Sequence, residues 1–97
     1  MAANHRLTAL IRGRTITGMQ SSGDTAVITF ADGSTMTVKV SGSPHTAAAG
    51  GTIAGVRQAG TELDLDFEDG TTLTIQLSEA TSSVMVRDKA GVMEYAD

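Results

Sequence analysis

Arg6, Arg12 and Arg14 stand close together at the start of the chain, with no acid among residues 1 to 14. A guanidinium is a planar fork of donors that fits phosphate and carboxylate groups. Together with Arg57, if an adjoining strand brings it alongside, these side chains could receive an anionic or nucleotide-like ligand at a subunit boundary. The competing reading is that they neutralise the protein's own acids, as exposed ion pairs commonly do.

The run Asp64-Leu65-Asp66-Phe67-Glu68-Asp69-Gly70 superficially has the composition of a calcium loop. Its glycine falls one place late, and Ile75 occupies the position that would supply a bidentate Glu. The acids alternate with Leu63, Leu65 and Phe67, so Glu62, Asp64 and Asp66 read as the solvated side of a strand. No metal is expected. His5 and His45 show neither HxxxH nor HExxH spacing, and no nucleophile stands beside a base. No catalytic residue is assigned, no cofactor is implied, and an enzyme is not expected.

Cysteine is absent, which excludes disulfides, thiolate chemistry and Cys-based zinc sites. With a net charge of −4 and only Phe30, Phe67 and Tyr95 as aromatics, the chain lacks the basic face and stacking platform of nucleic-acid binders. Nucleic acid and membrane are therefore not expected partners. No apolar run reaches signal-peptide or membrane-span length, and the default expectation is a cytoplasmic location.

These residues are carried by a repeat. Residues 15–40 align without a gap on residues 52–77, with Thr15/Thr52, Ile16/Ile53, Gly18/Gly55, Gly23/Gly60, Phe30/Phe67, Asp32/Asp69, Gly33/Gly70, Thr35/Thr72 and Thr37/Thr74 identical. Apolar residues alternate in each segment, the period of a half-buried strand. Ala26, Ile28 and Phe30, then Met36, Val38 and Val40, face inward in the first. Leu63, Leu65 and Phe67, then Leu73, Ile75 and Leu77, do so in the second.

A two-residue Asp-Gly hairpin turn would set apolar residues opposite polar ones. A three-residue loop, Ala31-Asp32-Gly33, instead pairs Ile28 with Met36 and Ala26 with Val38, with Gly33 in the left-handed position; Gly70 does the same for Leu65 with Leu73. Bulges at Gly18 and Gly55 bring Ile16 with Met19, and Ile53 with Val56, to one face. Two-residue turns at Ser22-Gly23 and Ala59-Gly60 then place Met19 opposite Ala26, Val56 opposite Leu63 and Arg57 opposite Glu62.

Asn4 caps a short helix in which Leu7, Leu10 and Ile11 share a face, ended by Gly13. Ser43 to Gly50 reads as another turn of helix or as a linker. A last hairpin spans residues 84–95, with Val84, Val86, Met93 and Tyr95 on its inner face. The expected fold is mainly β in one domain of 97 residues: two tandem three-stranded antiparallel meanders, the C-terminal hairpin and a short N-terminal helix, forming a small barrel or sandwich.

The outward faces differ. The second segment presents Glu62, Asp64 and Asp66, whereas the first presents Thr25, Val27, Thr29, Thr35 and Thr37 with Lys39 as its one charge. A face without charge is cheaper to desolvate. Those five residues are the expected interface. The leading functional expectation is a non-catalytic β module of bacterial or phage type, acting through protein contacts or homo-oligomerisation; the alternative is a small-molecule binder using the arginines.

Overall fold

The computed structural model describes residues 2–3, 5–41, 50–79 and 84–96. Asn4 and the turn expected at 43–49 lie outside them. Along the chain run β1 (Ala2–Ala3), α1 (His5–Ile11), β2 (Ile16–Ser22), β3 (Thr25–Phe30), β4 (Thr35–Lys39), β5 (Ile53–Ala59), β6 (Glu62–Phe67), β7 (Thr72–Gln76), β8 (Val84–Arg87) and β9 (Met93–Ala96). They form two antiparallel sheets, ordered β1-β5-β6-β7 and β2-β3-β4-β8-β9. The fold is mainly β, with one short helix among the described residues, as the alternation implied.

Alternation decides which side chains go in, and the loops decide the register. Ile28 pairs with Met36 and Ala26 with Val38, while Leu65 pairs with Leu73 and Leu63 with Ile75. Gly33 and Gly70 both sit at φ 89°, a conformation that costs any residue with a Cβ about 1–2 kcal/mol. The loop aspartates have a role that the glycines had overshadowed. Asp32 Oδ1 accepts the Ser34 N–H (2.9 Å) and the Ser34 hydroxyl, and Asp69 Oδ1 accepts the Thr71 N–H (2.9 Å) and hydroxyl (2.6 Å). Asp88 closes the β8–β9 loop in the same manner, accepting from Ala90 and Val92. A D-G-[ST] tripeptide repeated at equivalent places is the sequence signal for such side-chain turns.

The first hairpin of each segment departs from expectation by two residues. Bulges occur between Ile16 and Gly18 and between Ile53 and Gly55. Met19, however, lies opposite Ile28, Val56 opposite Leu65 and Arg57 opposite Asp64. The turns are Gly23-Asp24 and Gly60-Thr61, because each glycine, at φ 62° and 56°, takes the first central position, where a two-residue hairpin turn demands positive φ. A shift of two preserves facing, so the inward residues are unchanged.

The two sheets meet at two corners. Thr15 bridges Thr52, with hydroxyls 2.9 Å apart, and Val40 bridges Leu77. Each bridge joins a residue to its own counterpart 37 positions on, the pattern of an approximate twofold axis between the segments. Between the sheets lies one apolar cluster running from Leu7 and Ile11 of α1 through both meanders to Val84, Val86 and Tyr95.

The flanking segments cross over to finish this core. Residues 2–3 and 5–14 line the outer edge of β5: Ala2 and Ala3 pair with Gln58 and Arg57, and the Gly13 N–H donates to the Ile53 carbonyl (2.8 Å). Between them Thr8 Oγ1 accepts the Val56 N–H (2.9 Å) and donates to its carbonyl (3.3 Å). The C-terminal hairpin crosses the other way, β8 pairing with β4. Met93 is the exception to its expected facing. A bulge at Glu94 interrupts alternation, so Tyr95 stays buried while Met93 turns outward.

Candidate functional site

Pairing of β8 with β4 extends the outward face of the first segment to five strands. Across it run two rows, Gly18-Thr29-Thr35-Arg87-Met93 and Gln20-Val27-Thr37-Met85-Ala96, with Thr25 and Lys39 in the next. Thr25, Val27, Thr35 and Thr37 are half-buried and Thr29 is exposed. Met93 is 49% exposed, and Val92 beside it 61%. The charges in these rows are Lys39 and Arg87, both positive.

Met85 and Met93 were missing from the expected surface. Met85 was legible as outward, since it alternates with Val84 and Val86. Only the β4–β8 pairing sets it beside Thr37 and Val27, and only the bulge turns Met93 out.

The outward face of the other sheet is charged. Arg57 holds Asp66 in a two-pronged pair, Nε to Oδ2 at 2.7 Å and Nη2 to Oδ1 at 2.8 Å, and lies 3.5 Å from Asp64. The Thr72 hydroxyl also donates to Asp66 (2.8 Å). The Arg57 hydrogen bonds, joined by that of Thr72 and opposed by burial, hold the Asp66 carboxyl below its ordinary range; the same pair raises Arg57. The side chain of Asp64 is 7% exposed, and its Oδ1 has no hydrogen-bond partner. The acidic stripe is thus a strand face held by one cation, and not solvated throughout as expected, since Asp64 is buried under Arg57; no group of three or more His or acids among the described residues could hold a metal ion.

The other arginines occupy separate places. Arg6 of α1 lies over the ring of Tyr95, 5.7 Å from its centroid, a cation–π contact. Arg12 is exposed and lines a depression of about 260 Å³ with Gly13, Ile53, Ala54 and Glu68. Arg14, 17% exposed, donates to Glu94 (3.2 and 3.3 Å) and lies 3.7 Å from Asp32. It ties the start of β2 to the loop before β4 and to the bulge of β9. Ser34 above all, then Arg14, keeps the Asp32 carboxyl below its usual value against the opposing effect of burial.

Arg14 Nη1 is buried without an acceptor. The depression of about 350 Å³ beside it is lined by Arg14 and Lys89 but also by Asp32, Asp88 and Glu94. Three carboxylates against two cations make it a poor receptor for an anion. Neither depression is lined by more than one of the four arginines. His5 is exposed on α1, and His45 lies outside the described residues.

Comparison of the chain with protein-family models, with curated proteins and with solved structures finds no match. No described helix is long and apolar enough to cross a membrane.

Proposed function

We propose that this protein is a non-catalytic β module that works through protein contacts, and that copies of the chain associate through the outward face of the five-stranded sheet. The observation that carries this reading is the contrast between the two faces. One carries Glu62 beside the ion pairs of Arg57 with the buried Asp64 and with Asp66; the other sets Val27, Met85 and Met93 among threonines, with Lys39 and Arg87 as its charges and no acid in its rows. Interface cores are depleted in charge and enriched in Met relative to the remaining surface. Threonine rows add donors and acceptors that a facing strand surface can satisfy.

A small anionic ligand is the lesser reading, because Arg6, Arg12, Arg14 and Arg57 are dispersed and the depression at Arg14 carries excess negative charge.

The test is the double variant Val27→Glu/Thr29→Glu, which puts two carboxylates in the middle of the face without touching an inward side chain. Sedimentation velocity at micromolar concentration should show a smaller species than the wild type, with an unchanged melting temperature. A variant that keeps the wild-type mass, or a wild type that sediments as a monomer, defeats the reading.

A further inference from the structure

The pairing pattern also shows a sheet edge that no described strand covers. In the β6–β7 hairpin the Phe67 N–H donates to Thr71 C=O and the Leu77 N–H to Thr61 C=O. Opposed residues in an antiparallel ladder alternate between bonded and non-bonded pairs. Leu73 and Ile75 therefore turn their backbone groups toward β6, while Thr72, Thr74 and Gln76 turn theirs away. Gln76 C=O accepts the Ser41 N–H (2.9 Å) at the corner. Thr72 and Thr74 meet no described strand on that side, for β7 ends its sheet among the described residues.

The equivalent edge in the first segment is occupied. Thr35 and Thr37 of β4 also face outward along their edge, and there β8 pairs with them, setting Thr35 opposite Arg87, Met36 opposite Val86 and Thr37 opposite Met85. The fold thus contains its own example of what this edge accepts: an antiparallel strand whose inward residue is apolar.

We propose that a second copy of the chain pairs with β7 through this edge, about a twofold axis at Leu73, joining two four-stranded sheets into one. Thr72-Leu73-Thr74 reads the same in both directions. An antiparallel partner centred on Leu73 therefore sets Leu73 against its twin on the inward side and Thr72 against Thr74 on the outward side. Thr72 of each chain exchanges both backbone hydrogen bonds with Thr74 of the other, and Gln76 C=O is not needed. Leu73, at 8% exposed, is the most exposed of the inward residues of β6 and β7 that are buried, as an unfinished edge requires.

Protective devices are also missing. Edge strands commonly carry Lys, Pro or a bulge that blocks pairing; β7, Thr-Leu-Thr-Ile-Gln, has no charge and no Pro, and its ladder with β6 has no register shift. Neutrality matters most at a twofold axis, where any charge would face its like.

This contact is separate from the sheet face and is tested separately. Thr74→Pro removes an outward N–H that pairs with no described strand, and Pro is tolerated on that side of an edge strand. Thr74→Lys puts a charge beside the axis and leaves the backbone intact. In sedimentation equilibrium each variant should lose the contact, halving the assembly mass while far-UV circular dichroism stays that of the wild type. Should Thr74→Pro disturb the fold, Thr74→Lys decides. A folded Thr74→Lys of unchanged mass overturns the proposal, as does a wild type that is monomeric. Val27→Glu/Thr29→Glu tells the two contacts apart: if the edge operates, that variant falls to a dimer, and if the face alone operates, it falls directly to a monomer.

Discussion

Residues 15–40 and 52–77 send the same positions into the core but finish their borders differently. In the second segment the first strand, β5, has its outer edge lined by residues 2–3 and 5–14, and the last strand, β7, ends its sheet among the described residues. In the first segment the last strand, β4, is covered by the C-terminal hairpin. Outward faces diverge along with the edges: one carries Lys39 and Arg87 with no acid in its rows, the other the ion pairs of Arg57 with Asp64 and Asp66. The phenylalanines show the divergence at close range. Phe30 is 1% exposed, whereas Phe67 is half-buried and its ring lies 2.9 Å from where a Cβ on Gly51 would stand. The counterpart of Gly51 is Arg14, which reaches instead to Glu94. A repeat fixes what the segments share, the inward pattern and the loops. Segments outside the repeat determine which borders close.

The largest expected effect that would sharpen this contrast lies at the loop glycines. Gly70→Ala should cost about 1–2 kcal/mol for the left-handed backbone alone, since nothing lies near its absent Cβ. Gly33→Ala has the same φ and in addition brings a Cβ to 3.1 Å from that of Lys89. It should lower the urea midpoint more than Gly70→Ala; equal losses would mean that the C-terminal hairpin does not press on the first segment.

An effect of comparable size is expected at the N-terminal border. Thr8→Val keeps the shape of the side chain but removes both bonds to Val56, at about 0.5–1.5 kcal/mol each. Hydrogen exchange should rise at Val56 and not at Met19, its counterpart. Uniform acceleration would break the assignment of Thr8 to one edge.

The smallest effect is in pH. Asp66, Asp32 and Asp69 all titrate below their ordinary values, Asp66 through Arg57 and the two loop aspartates through the hydroxyl and N–H of Ser34 and Thr71. A carboxyl whose folded value is depressed stabilises the protein above its unfolded value, near 3.9 to within about a unit. That contribution is lost as pH falls through the folded value. The melting temperature should hold from neutral pH down to about pH 4 and decline below it. Asp66→Asn should flatten part of that decline; a profile that already falls between pH 7 and 5 would contradict this account.

Much of the fold was legible because it is local. Side-chain alternation needs only the pleat, and the three-residue loops follow from parity plus a glycine free to take positive φ, so the pairing of Ile28 with Met36 and of Leu65 with Leu73 could be read directly. The turns at Gly23 and Gly60 were misplaced by one position because a glycine suits either central place of a two-residue turn, and both choices keep the apolar residues together. Met93 was misassigned because a bulge leaves no residue-level mark when its extra residue is a glutamate.

The sequence by itself determined the inward residues of the two repeated segments, the repeat and the lack of acids on one outward face, since each depends on neighbours close in the chain. Tertiary structure alone decided that the N-terminal segment serves the second half and the C-terminal hairpin the first, which carboxylates each arginine meets, and which edge stays open. Strand edges offer the same N–H and C=O groups whatever their side chains, so the choice among edges is made by the closing of the core around them.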